Sequence, residues 1–188
     1  MAESRTCRLM MSCIYPELPY RSIPKNYSDA RNVNSEICEG CGQCCKRCGC
    51  YFSPDDFEEI SFEFLKKEIE KGYISIEFYD GEASMQNIGV YILRIRNQGR
   101  GIVDSCRKDI PCILLGENGC KLDYQHRPSG GKLMIPEKKF FINSVGKKQR
   151  NCRMSYTIID CCYEWLPHKR ILAELVDYFK HKDIPCSL

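Results

Sequence analysis

Six of the chain's fifteen cysteines lie within thirteen residues, in the stretch ICEGCGQCCKRCGCYF. Hydrophobic packing gives no reason to crowd thiols in this way, whereas thiolates are soft ligands that select zinc, Cu(I) or iron–sulfur centres. Glycines between these cysteines let the backbone curl tightly and turn its amides inward. The stretch is therefore predicted to be a metal-binding loop, with the candidate ligands Cys38, Cys41, Cys44, Cys45 and Cys48; the sixth cysteine, Cys50, interrupts the regular spacing.

The redox compartment decides whether such a cluster holds metal or forms disulfides. The N-terminal stretch MAESRTCRLMMSCIYPELPY contains no apolar run long enough for a secretory signal, and nothing in the chain approaches the roughly 18 apolar residues of a membrane span. We therefore expect a cytoplasmic protein without a membrane partner, in which thiols stay reduced and bind metal. A disulfide scaffold is the alternative that a cysteine content of about 8% leaves open.

The spacing within the loop favours iron–sulfur ligation. From Cys38 to Cys48 it reads C-x2-C-x2-C-x3-C, as in bacterial ferredoxins, although Gly49 stands where that run has proline. Overlapping pairs such as Cys45-x2-Cys48 suit tetrahedral zinc equally well. The three histidines show no finger spacing, which favours all-thiolate ligation. The predicted cofactor is one or two iron–sulfur clusters, with [4Fe–4S] favoured and zinc as the alternative.

A second group of thiols follows downstream, at Cys106, Cys112 and Cys120. Gly116 and the Asn118-Gly119 pair predict a turn that brings Cys112 and Cys120 together. The alternative for Cys112 is a buried apolar thiol, because it lies beside a run of aliphatic residues.

A third group consists of Cys152, Cys161 and Cys162. Adjacent cysteines face opposite sides of a strand, or lie about 100° apart on a helix. One of Cys161 and Cys162 is therefore a candidate ligand and the other a core residue. The three groups together supply enough thiolates for two four-cysteine sites.

Three segments of the chain resemble a known protein family. The segments CEGCGQCC, YFSPDDFEEI and PCILLGENGCKLDYQHRP resemble the YkgJ-type cysteine-cluster family, which carries a CxxCxxCC signature and is described as zinc- or iron-chelating. The match runs from about Cys38 to Pro136. The resemblance implies a capping or merely structural role for Tyr124, Arg127 and Pro128. It also implies a ligand set of Cys38, Cys41, Cys44, Cys45, Cys112 and Cys120.

One departure from the family pattern concerns the segment RPSGGKLMIP. The family commonly places a cysteine shortly after Arg-Pro, and here Gly130 and Gly131 follow instead. Cys106, Cys48 or Cys50 could substitute for this ligand, or the site could keep an open position. The signature is also similar to one in flagellin lysine N-methylases, which puts methyl transfer among the options.

The remaining pattern predicts a small α+β domain, with a few short strands and helices around the thiolate-ligated metal centre. Helices are predicted over 54–71, with Ser53 as N-cap and Asp56 completing a capping box, and over 167–182, with Leu172, Leu175, Val176 and Phe179 as its core stripe. Strands are predicted over 73–79, 90–96 and 139–145. The predicted organisation is an irregular segment 1–37, a metal-binding domain 38–166, and a C-terminal helix 167–188 packed on it.

The net charge of +3 is too small to indicate nucleic acid, and no Walker loop or G-x-G-x-x-G motif occurs. Segment 132–153 is nevertheless strongly basic, and is either a solvated face or a docking surface for an acidic protein partner. The functional hypothesis is an iron–sulfur protein that passes electrons or a cluster to a protein partner. The alternatives are a zinc-stabilised interaction module and an enzyme related to the lysine N-methylases.

The loop analysis predicts that Cys41→Ser loses bound metal and soluble yield together, because thiolate ligation and folding are coupled. Metal content per chain and soluble expression measure both effects, and Cys186→Ser, near the terminus, is the control. A fully metallated, stable Cys41→Ser protein would show that Cys41 is not a ligand.

Overall fold

The computed structural model describes residues 42–79, 89–105, 109–117, 119–142, 146, 148–154 and 156–182. The predicted irregular segment 1–37, and with it the predicted division into domains, is not tested by these residues. The α+β class is confirmed. Four helices and seven strands are named here in chain order: α1 Phe62–Glu70, α2 Ser129–Lys132, α3 Ile158–Trp165 and α4 Lys169–Lys180; β1 Ile74–Tyr79, β2 Val90–Ile95, β3 Val103–Ser105, β4 Leu115–Gly116, β5 Gly119–Cys120, β6 Met134–Ile142 and β7 Lys148–Met154.

The centre of the fold is a three-stranded sheet in the order β2-β1-β3. β1 pairs antiparallel with β2 and parallel with β3. The alternating β-branched and aromatic residues that predicted β1 and β2 lie where the sequence placed them, so both predictions are confirmed. β4 and β5 form a short hairpin, and β6 and β7 form a longer one.

The cysteine loop continues directly into the free edge of β2. Tyr51 forms an antiparallel bridge with Arg94. The Ile95 N–H donates to the Cys50 carbonyl at 2.8 Å, and the Phe52 N–H donates to the Leu93 carbonyl at 2.8 Å. The end of the loop therefore acts as an additional short strand, and the sheet holds it in register.

The helices bury the other side of the core. Leu65 and Ile69 of α1 and Trp165 of α3 are fully buried. The predicted C-terminal helix is confirmed as α4, and its predicted stripe is buried as expected: Leu172, Leu175, Val176 and Phe179. Pro167 lies in the single 3₁₀ turn Leu166–His168 that precedes α4.

The predicted continuous helix over 54–71 is wrong. Ser53 and Asp56 do form the capping box, but it caps only the 3₁₀ turn Pro54–Asp56, and Phe57 is extended. A second N-cap, Ser61, starts α1. The break has a tertiary cause, because the Asp56 carboxylate also accepts hydrogen bonds from the Ser129 N–H at 2.7 Å and the Ser129 hydroxyl at 2.9 Å. Asp56 thereby ties this turn to the start of α2.

Helix α3 was not predicted, although its start carries a clear signal. Thr157 and Asp160 form a capping box, in which the Thr157 hydroxyl accepts from the Asp160 N–H and Asp160 accepts from the Thr157 N–H at 2.7 Å. The predicted strand over 139–145 overlaps β6, which begins earlier, at Met134; residues 143–145 lie outside the described part.

A buried ion pair joins the two central strands. Arg94 and Glu77 are 3% and 1% exposed, and the Arg94 Nη1 lies 3.2 Å from the Glu77 Oε2. Arg94 is as buried as the aliphatic residues beside it in β2. Its guanidinium also donates to the Gly49 carbonyl, through Nη2 at 2.8 Å and Nε at 3.3 Å. The pair therefore connects the sheet to the cysteine loop.

We predict that Glu77→Ala lowers the free energy of unfolding by about 3–5 kcal/mol, because it leaves the Arg94 charge buried without its carboxylate. Urea denaturation measures the change. Glu63→Ala is the matched control: it removes an exposed pair with Lys66 at 3.2 Å and should cost less than about 1 kcal/mol. Equal, small effects of the two substitutions would contradict the structural role of the buried pair.

Candidate metal centre

Six cysteines from three separate parts of the chain line one cavity of about 70 Å³. They come from the loop, from the β4–β5 region and from β7, and are Cys44, Cys45, Cys50, Cys112, Cys120 and Cys152. Aliphatic residues and Met134 complete most of the wall. Among the described residues, the lining contains no carboxylate and no imidazole. Sulfur is thus the metal-binding donor that the side chains present here.

The first part of the loop is a compact turn. The Lys46 N–H donates to the Gly42 carbonyl at 2.9 Å, and the Cys48 N–H donates to the Cys44 carbonyl at 3.1 Å. Gly42 has a φ of +59°, in the left-handed region that favours glycine. The turn carries Cys44 and Cys45 to the cavity.

The second part of the loop is held by buried polar side chains. The Gly49 N–H donates to the Asn97 Oδ1 at 2.7 Å, while the Gly49 carbonyl accepts from Arg94. A Cβ at Gly49 would lie 2.0 Å from the Ile95 carbonyl oxygen, so only glycine fits there. The glycine that departs from the ferredoxin pattern is therefore required by contact with β2.

The second thiol group reaches the cavity through main-chain pairing. The Cys112 N–H donates to the Cys45 carbonyl at 2.6 Å, and Cys112 bridges to Asn97 on its other side. The predicted turn is confirmed as the β4–β5 hairpin, in which Leu115 pairs with Cys120. Cys112 is buried in the core and also lines the cavity, so its burial is compatible with the predicted role as a ligand.

Three residues in and after the Arg-Pro segment form another side of the cavity wall. Arg127, Pro128 and Met134 line the cavity, and the Arg127 Nε donates to the Leu122 carbonyl at 3.2 Å. Tyr124, which the family resemblance grouped with them, donates its hydroxyl to the Lys132 carbonyl at 3.2 Å. These contacts give the segment a structural role at the rim.

The thiols perturb one another's protonation. The Cys45 thiol donates to Cys120, which raises the pKa of Cys45 far above its usual value and lowers the pKa of Cys120 to about 6. The Leu122 N–H and the Arg127 guanidinium also favour the Cys120 thiolate. Burial raises the pKa of Cys112 to about 11 and that of Cys50 higher still. Of the Cys45–Cys120 pair, Cys120 is therefore the cysteine that is favoured as a thiolate in the reduced protein near neutral pH.

The outcome for the predicted ligands is mixed. The structure brings Cys44, Cys45, Cys112, Cys120 and Cys152 to the cavity. Cys38, Cys41 and Cys106 lie outside the described residues. Cys48 is close enough to affect the Cys50 and Cys112 thiols but is not part of the lining.

Cys161, a predicted ligand, lies away from the cavity lining. It is fully buried in α3, donates its thiol to the Phe52 carbonyl at 3.3 Å, and is not among the residues lining the cavity. Its neighbour Cys162 is likewise buried in the core. The reason is that α3 packs against the segment after the loop, where the Trp165 Nε1 donates to the same carbonyl.

Sequence reasoning gave Cys50 too little weight and missed its supports. Cys50 stood only as a possible substitute, because it blurred the regular spacing, yet it lines the cavity directly. Arg94 and Asn97 were not singled out as supports of the loop. An arginine inside an otherwise apolar strand was the available signal, since a buried charge requires partners.

No disulfide joins any of the nine cysteines that the structure describes, so this part of the chain gives no support to a disulfide scaffold. Within the same residues, no three cysteine, histidine, aspartate or glutamate side chains are arranged to hold a single metal ion. Six of the thiols line one cavity, and two of them, Cys45 and Cys120, lie within hydrogen-bonding distance of each other. The assignment of individual ligands therefore stays a prediction.

Comparison with known proteins agrees with the chemistry of this cavity. Residues 37–153, more than half of the chain, match the family model "CxxCxxCC: Putative zinc- or iron-chelating domain". The chain belongs to this family. Cysteine-ligated metal binding is thereby supported, whereas the resemblance to lysine N-methylases is not. No curated protein and no solved structure gave a significant match.

No helix in the described residues combines the length and the apolar character needed to cross a bilayer.

The Cys45–Cys120 hydrogen bond predicts an unusual pH profile of alkylation. In the reduced, metal-free protein, the reaction of Cys120 with iodoacetamide should rise through about pH 6 and level off well below the ordinary thiol pKa of 9.0, because only the thiolate reacts. Cys112, with its pKa near 11, should react only at higher pH. Site-resolved mass spectrometry measures both profiles.

Cys45→Ala is the control for this assignment, since it removes the thiol donor and should move the Cys120 midpoint upward. A Cys120 profile that rises only near pH 9.0 in the unsubstituted protein would contradict the proposed thiol–thiolate pair.

Proposed function

We propose that this protein is an iron–sulfur protein that holds a [4Fe–4S] cluster with the thiolates of this cavity and transfers electrons or a cluster to a protein partner. The observation that carries the proposal is the convergence of six cysteines from three parts of the chain on one cavity. Thiolates are the ordinary ligands of iron–sulfur clusters, and a wall without carboxylate or imidazole suits them.

The size of the cavity favours a cluster over a single ion. A volume of about 70 Å³ is several times the ~10–15 Å³ that one water molecule requires. A space of this size has room for a group with several metal atoms, whereas a structural zinc ion needs only four ligands around one point.

The residues that would hold the cluster are drawn from the cavity thiols, together with the loop cysteines Cys38 and Cys41 that lie outside the described residues. A bound cluster would supply one-electron redox chemistry. The protein's part is to position the thiolates and exclude water. Ile95, Leu114 and Met134 form an apolar wall, and Arg127 provides a positive charge beside Cys120.

The proposed partner contact is the basic segment 132–153. Its two strands begin and end beside the cavity: Met134 at the start of β6 pairs with Met154 at the end of β7, and both Met134 and Cys152 line the cavity. A partner docked on this hairpin would lie close to the centre, as short-range electron or cluster transfer requires. The surplus of lysine and arginine in this segment indicates an acidic partner.

Purification under anaerobic conditions tests the proposal. We expect a brown protein with about four iron and four sulfide per chain, because a [4Fe–4S] cluster has that composition. Broad visible absorption that bleaches with dithionite should accompany it. Metal and sulfide analysis and a reductive titration provide these measurements.

The alternative outcome of this purification is a zinc protein. A colourless protein with stoichiometric zinc and no sulfide would replace the iron–sulfur proposal by a zinc-stabilised interaction module. A protein that binds neither metal under reducing conditions would overturn both.

A further inference from the structure

We propose that Cys50 is a ligand of the metal centre, and that it occupies the corner of the cavity that Gly131 leaves open. The inference rests on the proposed metal-binding function and adds to it a ligand outside the CxxCxxCC signature. It also explains why a glycine at position 131 is compatible with a complete set of ligands.

The geometry between the two residues is specific. A Cβ built on Gly131 would lie 3.4 Å from the Cys50 Sγ and 3.8 Å from the Cys50 Cβ. Both residues line the cavity. A side chain at 131 would therefore be in direct van der Waals contact with the Cys50 thiol, so a sulfur carried at 131 would lie beside the position that the Cys50 Sγ holds.

The main chain on both sides of this corner is firmly held. The Cys50 carbonyl accepts from the Ile95 N–H at 2.8 Å, and the preceding Gly49 peptide is bound at both its N–H and its carbonyl. On the opposite side, the Gly130 N–H donates to the Tyr51 carbonyl at 3.1 Å. A ligand carried on such a fixed backbone is already oriented before metal binds.

Sheet register distinguishes Cys50 from Cys48. Cys50 lies opposite Ile95, and both residues line the cavity. Cys48 lies earlier, where its N–H donates to the Cys44 carbonyl, and it is not part of the lining. Because Cys48 is itself a candidate ligand, Cys186 near the terminus serves as the control.

Gly131 can accept a cysteine without backbone strain. It lies in helix α2, and it is not among the described glycines with positive φ. Its nearest neighbours beyond Cys50 would be at ordinary contact distance, with the Arg127 Cβ at 3.5 Å. By contrast, a Cβ on Gly130 would lie 2.9 Å from the Tyr51 ring and carbonyl. Of Gly130 and Gly131, only Gly131 can therefore be replaced by a cysteine that supplies sulfur to this corner.

A relocation experiment tests the inference. Four variants are prepared anaerobically with iron and sulfide: Cys50→Ala, Cys186→Ala, Cys50→Ala with Gly131→Cys, and Cys50→Ala with Gly131→Ala. Iron and zinc per chain are measured, together with the rate of iron release to excess chelator. Circular dichroism verifies that each variant is folded.

We expect Cys50→Ala to release metal at least ~10-fold faster than the unsubstituted protein, since even outer-shell changes have effects of this order. Cys186→Ala should release it at nearly the unsubstituted rate. Gly131→Cys should restore retention to Cys50→Ala, and Gly131→Ala should not, because only the former returns a sulfur to the corner. If Cys50→Ala does not fold, the same series is made with Cys50→Ser.

The outcomes separate this inference from the proposed function. An unsubstituted protein without metal overturns the proposed function itself. A metallated unsubstituted protein with a fully retentive Cys50→Ala variant overturns the role of Cys50 alone. A folded Cys50→Ala protein that loses metal and is not rescued by Gly131→Cys overturns the shared corner.

Discussion

The attachment of the cysteine loop to the edge of β2 is the constraint on which the candidate site depends. The Leu93 carbonyl accepts from the Phe52 N–H, and the Ile95 N–H donates to the Cys50 carbonyl; these bonds hold the segment around Tyr51 in register. Arg94 and Asn97 fix the Gly49 peptide from the buried side. A thiol-rich loop has little apolar surface of its own with which to fold, so a rigid sheet edge supplies the order that the loop lacks.

The same attachment explains why charge is buried so close to the thiols. Arg94 requires Glu77 as a partner inside the sheet, and the pair in turn orients the loop carbonyl. A buried ion pair is an expensive way to stabilise a fold, but it is well suited to fixing one arrangement among several. We interpret this pair as a device that sets the geometry of the loop before metal is bound.

Local pattern predicted a large part of the fold, and the failures share one cause. Alternation located β1 and β2, and the apolar stripe located α4, because each element buries one face in the ordinary way. The helix predicted over 54–71 fails where Asp56 turns toward Ser129, a contact between residues far apart in the chain. Cys161, a predicted ligand, lies away from the cavity lining because α3 packs its thiol against the Phe52 carbonyl. In both cases a long-range contact overrode a local signal.

The sequence by itself determined the donor chemistry: crowded cysteines with scarce histidine select a soft metal or a cluster, whatever the fold. It also indicated the turn that joins Cys112 to Cys120. Only the tertiary structure decided which thiols meet, because the cavity is assembled by the loop, the β4–β5 hairpin and β7, and spacing along the chain carries no information about that assembly. Cys50 belongs to the lining and Cys161 does not, since sheet register carries the former to the cavity and helix packing turns the latter into the core.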